Sequence, residues 1–186
     1  MDILNQLKQY RPWNAQEAAD RELLLQWLEQ ENDLFSRGNP AMHFTASAWV
    51  VSPDRTQVLM AHHDLYRSWA WLGGHADGNW DLMAVAAKEA REESGIAYLS
   101  TLYDGIFSLE VLTVDGHEKR GRYVPSHLHL NLTYLFEGDP GEAVRVKADE
   151  NSRVGWIREE EIPEKSTESW FVERIYTKLT RKVHEL

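Results

Sequence analysis

The chain has 186 residues, no cysteine, and 30 acidic against 20 basic side chains for a formal net charge of −10. That length suits one compact domain with a real core, and the missing cysteine excludes disulfides, thiolate metal sites and cysteine nucleophiles. The negative charge argues against a nucleic-acid polymer as partner, which needs Lys and Arg on phosphates, but not against a small phosphorylated substrate, because a bound divalent cation reverses the local sign.

From the N-terminus, residues 1–11 lack the basic-then-apolar layout of a signal peptide, and no apolar run is long enough to cross a bilayer. The expected location is therefore cytoplasmic, with no membrane partner. Residues 1–40 read as a helical extension. Asn14 with Glu17 resembles a capping box, and Leu23, Leu24, Trp27 and Leu28 form an apolar stripe. Gly38-Asn39-Pro40 breaks the pattern. Residues 43–51 read as a strand, followed by the turn signal Ser52-Pro53-Asp54 and a partner strand at 58–61. A short apolar run at 69–72 ends at Gly73-Gly74. Residues 81–94 read as a helix, with Asp81 as N-cap and Gly95 as its stop. Two strands follow at 102–114 and 127–137, joined by the charged segment 115–122. In the second, Leu128, Leu130, Leu132, Tyr134 and Phe136 share one face, and His127, His129, Asn131 and Thr133 the other. Short strands are expected at 144–146 and 154–157, and a last helix at about 168–184. Strands interleaved with helices make a mixed α/β fold.

The chemistry is concentrated between Gly73 and Ile96. A glycine pair lets backbone approach a ligand, and a helix N-terminus favours anions. At about 100° per residue, Glu89, Glu92 and Glu93 fall within an arc of roughly 100° on one helix face. Leu82, Val85 and Ala86 continue that face toward the N-terminus, so it is apolar early and acidic late. Lys88 stands four residues before Glu92, within reach of an ion pair. Clustered carboxylates repel unless a cation joins them. Solvent at a wet helix end is one answer, and a hard cation such as Mg2+ or Mn2+ is the other.

This segment resembles the Nudix box. Gly74 fills its first position, and Glu89, Ala90, Glu92, Glu93, Gly95 and Ile96 fill the later ones in register with no gap. Trp80 stands where the family has its first Glu, and Lys88 where it has Arg. Leu72 stands where proline is common. The flanking residues 44–163 resemble the rest of a Nudix domain, in His43-Phe44-Thr45-Ala46-Ser47-Ala48, in Trp69 four residues before Gly73, and in His127-Leu128-His129-Leu130.

The resemblance implies a Nudix α/β/α sandwich with a mixed sheet. The Nudix domain would span 41–163, with the N-terminal helical extension 1–40 and a C-terminal helix 164–186 packed into one globular unit, able to form a homodimer. It also implies hydrolysis of a pyrophosphate bond in a nucleoside diphosphate derivative. Nucleoside triphosphates, ADP-ribose, NADH and dinucleoside polyphosphates all stay open. Glu89, Glu92 and Glu93, helped by a backbone carbonyl at Gly74, would hold Mg2+ or Mn2+. Glu92, Glu93 and Glu150 are the expected catalytic carboxylates, and Glu118 is a further candidate base. His75, Trp80 and His129 are expected to bind substrate, with Lys119, Arg120 and Arg122 as candidates for a terminal phosphate. A nucleotide-sensing domain that has lost turnover is the alternative, and Trp80 is the residue that favours it. An isoprenoid diphosphate isomerase would need the cysteine this chain lacks.

Overall fold

The computed structural model describes residues 2–30, 33–63, 67–119, 121–146 and 151–186, Lys119 by its backbone only. The chain divides into two compact units interleaved along the sequence. One comprises Met1–Ser47, Gly74–Val85 and Asp104–Tyr134, the other Ala48–Gly73, Ala86–Tyr103 and Leu135–Leu186.

In the first unit, helix α1 (Ile3–Gln9) starts where Asp2 accepts a hydrogen bond from the Asn5 N–H. Helix α2 (Ala15–Gln30) starts at Asn14, whose Oδ1 accepts from the Glu17 N–H at 2.9 Å. The capping box forms with a shift, because Glu17 reaches back to the Trp13 N–H at 2.7 Å rather than to Asn14. Arg21 donates to the Leu7 and Lys8 carbonyls and so closes the open end of α1. Strand β6 (Ser108–Val114) pairs antiparallel with β9 (His127–Glu137), from Ser108 opposite Thr133 to Val114 opposite His127. Helix α2 lies along β6, and Asp20 accepts from the Val111 N–H at 3.2 Å, which satisfies a donor that pairing with β9 does not use. Of the predicted stripe, Leu24 is buried and Leu23 is not. The segment expected to be a plain connection at 115–122 contains a small antiparallel hairpin, β7 (His117–Lys119) with β8 (Arg122–Val124).

In the second unit, the end of β1 (Met42–Val51) turns through Ser52 and Asp54 into antiparallel β2 (Gln57–His63), with Val51 opposite Val58. Strands β3 (Ser68–Ala70) and β10 (Asn151–Arg158) both pair antiparallel with β2, and β5 (Ser100–Thr101) pairs with the end of β9. The hydrogen-bonded order is β10-β2-β1-β9-β5, with β4 (Leu72–His75) on β1. The sheet is mixed. Leu128 N–H meets the Ala41 carbonyl and Gly138 N–H meets the Val51 carbonyl, so β1 and β9 run in the same direction, while the pairings around them are antiparallel.

Three expected elements differ. The strand at 102–114 shortens to β6, because Gly105 takes a φ of +105° and bends the chain ahead of it. Residues 144–146 form no strand; Arg145 N–H bonds instead to the Ser94 carbonyl at the end of helix α3 (Leu82–Ser94). The C-terminal helix is interrupted. A short turn Ser169–Phe171 passes through a π-helical turn Val172–Tyr176 into Thr177–His184. The π-turn brings successive residues Ile175 and Tyr176 into the core, where Tyr176 stacks on Trp49 and meets Trp71 edge-on. Trp71 is thus core; Trp69 is half-buried beneath the Arg153 guanidinium. Among the described residues, no helix is long and apolar enough to cross a membrane.

Glu17 is fully buried and also accepts from the Tyr10 hydroxyl at 2.6 Å and from Ser108 Oγ at 2.9 Å. Its removal takes an acceptor from three donors, the Trp13 N–H, the Tyr10 hydroxyl and buried Ser108. Glu17→Ala is expected to lower the unfolding free energy by about 3 kcal/mol, against about 1 kcal/mol for the exposed cap Asp2→Ala. Urea denaturation of both variants checks this, and equal losses would count against a core role for Glu17.

Candidate functional site

Helix α3 begins and ends as its sequence dictates. Asp81 Oδ1 accepts from the Ala84 N–H at 3.0 Å, and Gly95 stops the helix with φ +75°. Gly73 and Gly74 lie in strand β4, not in a loop; the turn follows at 76–79, where Asp77 and Gly78 both take positive φ. Leu82, Val85, Ala86 and Ala90 are the buried face of the helix. Its acidic end divides by burial. Glu93 is 2% exposed and accepts from the Gly73 N–H at 3.1 Å. Glu89 is half-buried and Glu92 exposed, and both meet Lys88 Nζ at 3.1 Å. Hydrogen bonds to Glu89 and then Glu92 raise the Lys88 pKa above its ordinary value. Two of the three carboxylates therefore already gather around one positive charge. Glu150 and Arg120 lie outside the described residues, as does the Lys119 side chain. Glu118 is exposed on β7.

The two predicted histidines lie together, and two more join them. The ring centroids of His43, His75, His127 and His129 stand 5.0 to 5.2 Å apart in five of the pairings. Ligand-capable atoms of His43, His75 and His129 all come within 4.8 Å of one another. His43 Nδ1 lies 3.2 Å from the Asn39 carbonyl, His127 Nδ1 lies 2.8 Å from the Pro125 carbonyl, and His127 Nε2 lies 3.1 Å from His129 Nε2. Burial lowers the His43 pKa. Burial, followed by the neighbouring rings of His75, His43 and His127, lowers that of His129 to about 2. Sequence reasoning did not single out His43 as a site residue. The signal was present, since His43 alternates with Thr45 and Ser47 on β1 as His129 does with Asn131 and Thr133 on β9.

That shared face is buried and polar. Thr45 and Ser47 hydroxyls donate to Asn131 Oδ1 at 3.0 and 2.8 Å, and Asn131 Nδ2 donates to Glu110 at 3.0 Å. Ser108 Oγ stands between Glu110 and Glu17. His43, His127 and His129 continue this ladder along β1 and β9, and His75 joins them from β4.

Trp80 is 70% exposed and stacks on Phe35 with ring centroids 4.1 Å apart. Phe35 in turn stacks on buried Phe44. The exposed indole is therefore held flat by an aromatic column. Beside the 76–79 turn, Arg37 grips Asp77 through two hydrogen bonds of 2.7 and 2.8 Å.

Depressed histidine pKa values make stability depend on pH. The unfolded chain binds a proton near the ordinary value of 6.5 where folded His129 does not, so stability is complete above about pH 6.5 and falls as pH drops below it. The slope is up to about 1.4 kcal/mol per pH unit from this group. In metal-free buffer, urea midpoints of the wild-type protein should fall more steeply from pH 6.5 to 5 than those of His129→Gln. Parallel curves would contradict the assignment.

No family model matches the sequence, and no curated protein does. Solved structures do match. A Nudix-family hydrolase from Clostridium perfringens has a TM-score of 0.53 at 18% identity, covering 77% of this chain and 97% of that one. An Ap4A hydrolase from C. elegans has 0.53 at 18%, covering 76% and 95%. The Nudix domain of Shewanella oneidensis NrtR, in complex with ADP ribose, has 0.52 at 14%, covering 86% and 96%. The mixed sheet with its helices is the Nudix α/β/α sandwich.

Proposed function

We propose that this chain hydrolyses a pyrophosphate bond in a nucleoside diphosphate derivative, using Mg2+ or Mn2+. The observation that carries this is the acidic end of α3, where Glu89 and Glu92 share one cation and buried Glu93 is tied to the glycine strand. The donor set suits a hard divalent ion, because it is all oxygen and two of its three carboxylates already meet one positive charge. Glu89, Glu92 and Glu93 would hold the ion, with a backbone carbonyl at Gly74. When bound, such an ion neutralises phosphate oxygens and acidifies water. Lys88 keeps Glu89 and Glu92 together before the ion arrives and must yield them when it does. A carboxylate among Glu92, Glu93 and Glu150 takes the proton from the attacking water. His75 and His129 contact the substrate, and Trp80 offers its face to the base. Similarity to an Ap4A hydrolase and to a domain crystallised with ADP ribose supports a nucleotide substrate.

A nucleotide-sensing domain without turnover is the second reading. Trp80 in the place of a box glutamate favours it, as does the occupation of Glu89 and Glu92 by Lys88.

The deciding assay is release of phosphate or nucleotide from a panel of nucleoside triphosphates, ADP-ribose, NADH and dinucleoside polyphosphates, with Mg2+ and then Mn2+. Turnover should stop with chelator and fall roughly a hundredfold or more in Glu92→Gln; undiminished activity in that variant would remove α3 from the chemistry. Binding without turnover would establish the sensing domain. Separately, Trp80→Ala should raise KM about tenfold with kcat nearly kept, the value of one base stacked on an aromatic ring. An unchanged KM would make Trp80 a surface residue only.

A further inference from the structure

We propose that His43, His75 and His129 form a second metal site, one that takes a transition metal of borderline softness, with Zn2+ the best match. The site is distinct in chemistry from the carboxylates of α3, and it stands whether or not those carboxylates support hydrolysis.

The first observation is convergence. The three side chains lie on β1, β4 and β9, and their ligand-capable atoms come within 4.8 Å of one another. Around a tetrahedral zinc with bonds of about 2.0–2.1 Å, ligand nitrogens stand about 3.3 Å apart. The present spread exceeds that spacing by about 1.5 Å at most, so binding would draw the rings together.

The second is an orphaned lone pair. His43 is 5% exposed, and its Nε2 is buried with no hydrogen-bond partner among the described residues. Its Nδ1 faces the Asn39 carbonyl at 3.2 Å. A carbonyl only accepts, so the proton sits on Nδ1 and Nε2 carries the lone pair. Metal-binding histidines share this arrangement: the outer nitrogen donates to a carbonyl, and the inner one is left to the ion. The polar groups of Thr45, Ser47 and Asn131, farther along the same face, are paired with one another or with Glu110. An unfilled Nε2 at the end of that ladder is an anomaly that a bound cation removes.

The third is the identity of the neighbours. His127 donates its Nδ1 proton to the Pro125 carbonyl and directs its Nε2 at His129 Nε2, 3.1 Å away. It thereby orients the His129 ring without being one of the three ligands. Asp77, whose charge is felt at His43, is held in both oxygens by Arg37. The inner set is therefore all imidazole, which suits Zn2+, Cu2+, Ni2+ or Fe2+ and not Mg2+ or Ca2+. The lone pair on buried His43 Nε2 suits a cation and not an anion. Three protein ligands leave a fourth position for solvent or for an oxygen of a bound molecule.

The test is metal binding by the full chain, stripped with chelator and titrated with Co2+ as a visible-spectrum stand-in for Zn2+, then with Zn2+ in competition. Wild type and Glu92→Gln should both bind Co2+ with tetrahedral-type absorption that Zn2+ displaces. His129→Gln and His75→Ala should each lose about tenfold or more in affinity. His75 is half-buried, so its variant keeps the test informative if one at buried His43 fails to fold, and circular dichroism verifies each fold. Unchanged binding in both folded histidine variants overturns the proposal. So does loss of binding in Glu92→Gln alone, or the absence of Co2+ and Zn2+ binding by wild type. Hydrolysis is not read in this experiment, so failure of the pyrophosphatase reading would be seen separately, in the substrate panel.

Discussion

A polar group taken out of water must find a partner inside, and in this protein that rule governs the face shared by β1, β9 and β6. Thr45, Ser47, Asn131, Thr133, Glu110 and Ser108 are all buried. Each would cost about 1–3 kcal/mol if left unpaired, so their side chains are locked into one network that fixes the strands beside one another. The network reaches α2 through Glu17 and α1 through Tyr10. The same rule makes the four histidines informative. They extend the face, two of them, His43 and His127, are held in defined tautomers by backbone carbonyls, and His43 ends in a lone pair with no hydrogen-bond partner among the described residues.

Helix α3 meets a different constraint. Its carboxylates are concentrated in one turn, where mutual repulsion would destabilise the helix unless a cation is close. The structure answers with Lys88 for Glu89 and Glu92, and with a backbone N–H of the glycine strand for Glu93. A lysine lacks the planar fork with which an arginine grips a carboxylate twice. As a single point charge it gives up its partners more readily, as the proposed metal site requires. The burial of Glu93 and the exposure of Glu92 give two neighbouring carboxylates different surroundings. That is the usual physical basis for different roles.

Much of this was legible in the sequence. The caps of α3, the strand at β9 with its two faces and the hairpin β1-β2 follow from local signals: a side chain that caps, a glycine that stops, a period of two. The misjudged elements are those where a distant partner decided. Residues 144–146 look like a strand until Arg145 bonds to the end of α3. The last helix looks regular until the fit around Trp49 and Tyr176 calls for an extra residue in one turn. Glu17 looks like a surface cap, yet its carboxylate becomes a core acceptor once α2 lies on β6.

The sequence by itself determined the mixed α/β class, the placing of three glutamates on one helix face and the resemblance that points to phosphate chemistry. Each of these depends on spacings within about twenty residues, which the chain carries unfolded or folded. Only the tertiary structure decided that His43, His75 and His129 meet. They come from three strands separated by long stretches of chain, and nothing in the pairing of β1 with β9 is written in the period of either. It also decided that the polar side of β9 faces inward. An alternating pattern states that two faces differ, but whether each is covered depends on what packs there, and here Leu130 and Leu132 on one side and Asn131 and Thr133 on the other are all buried.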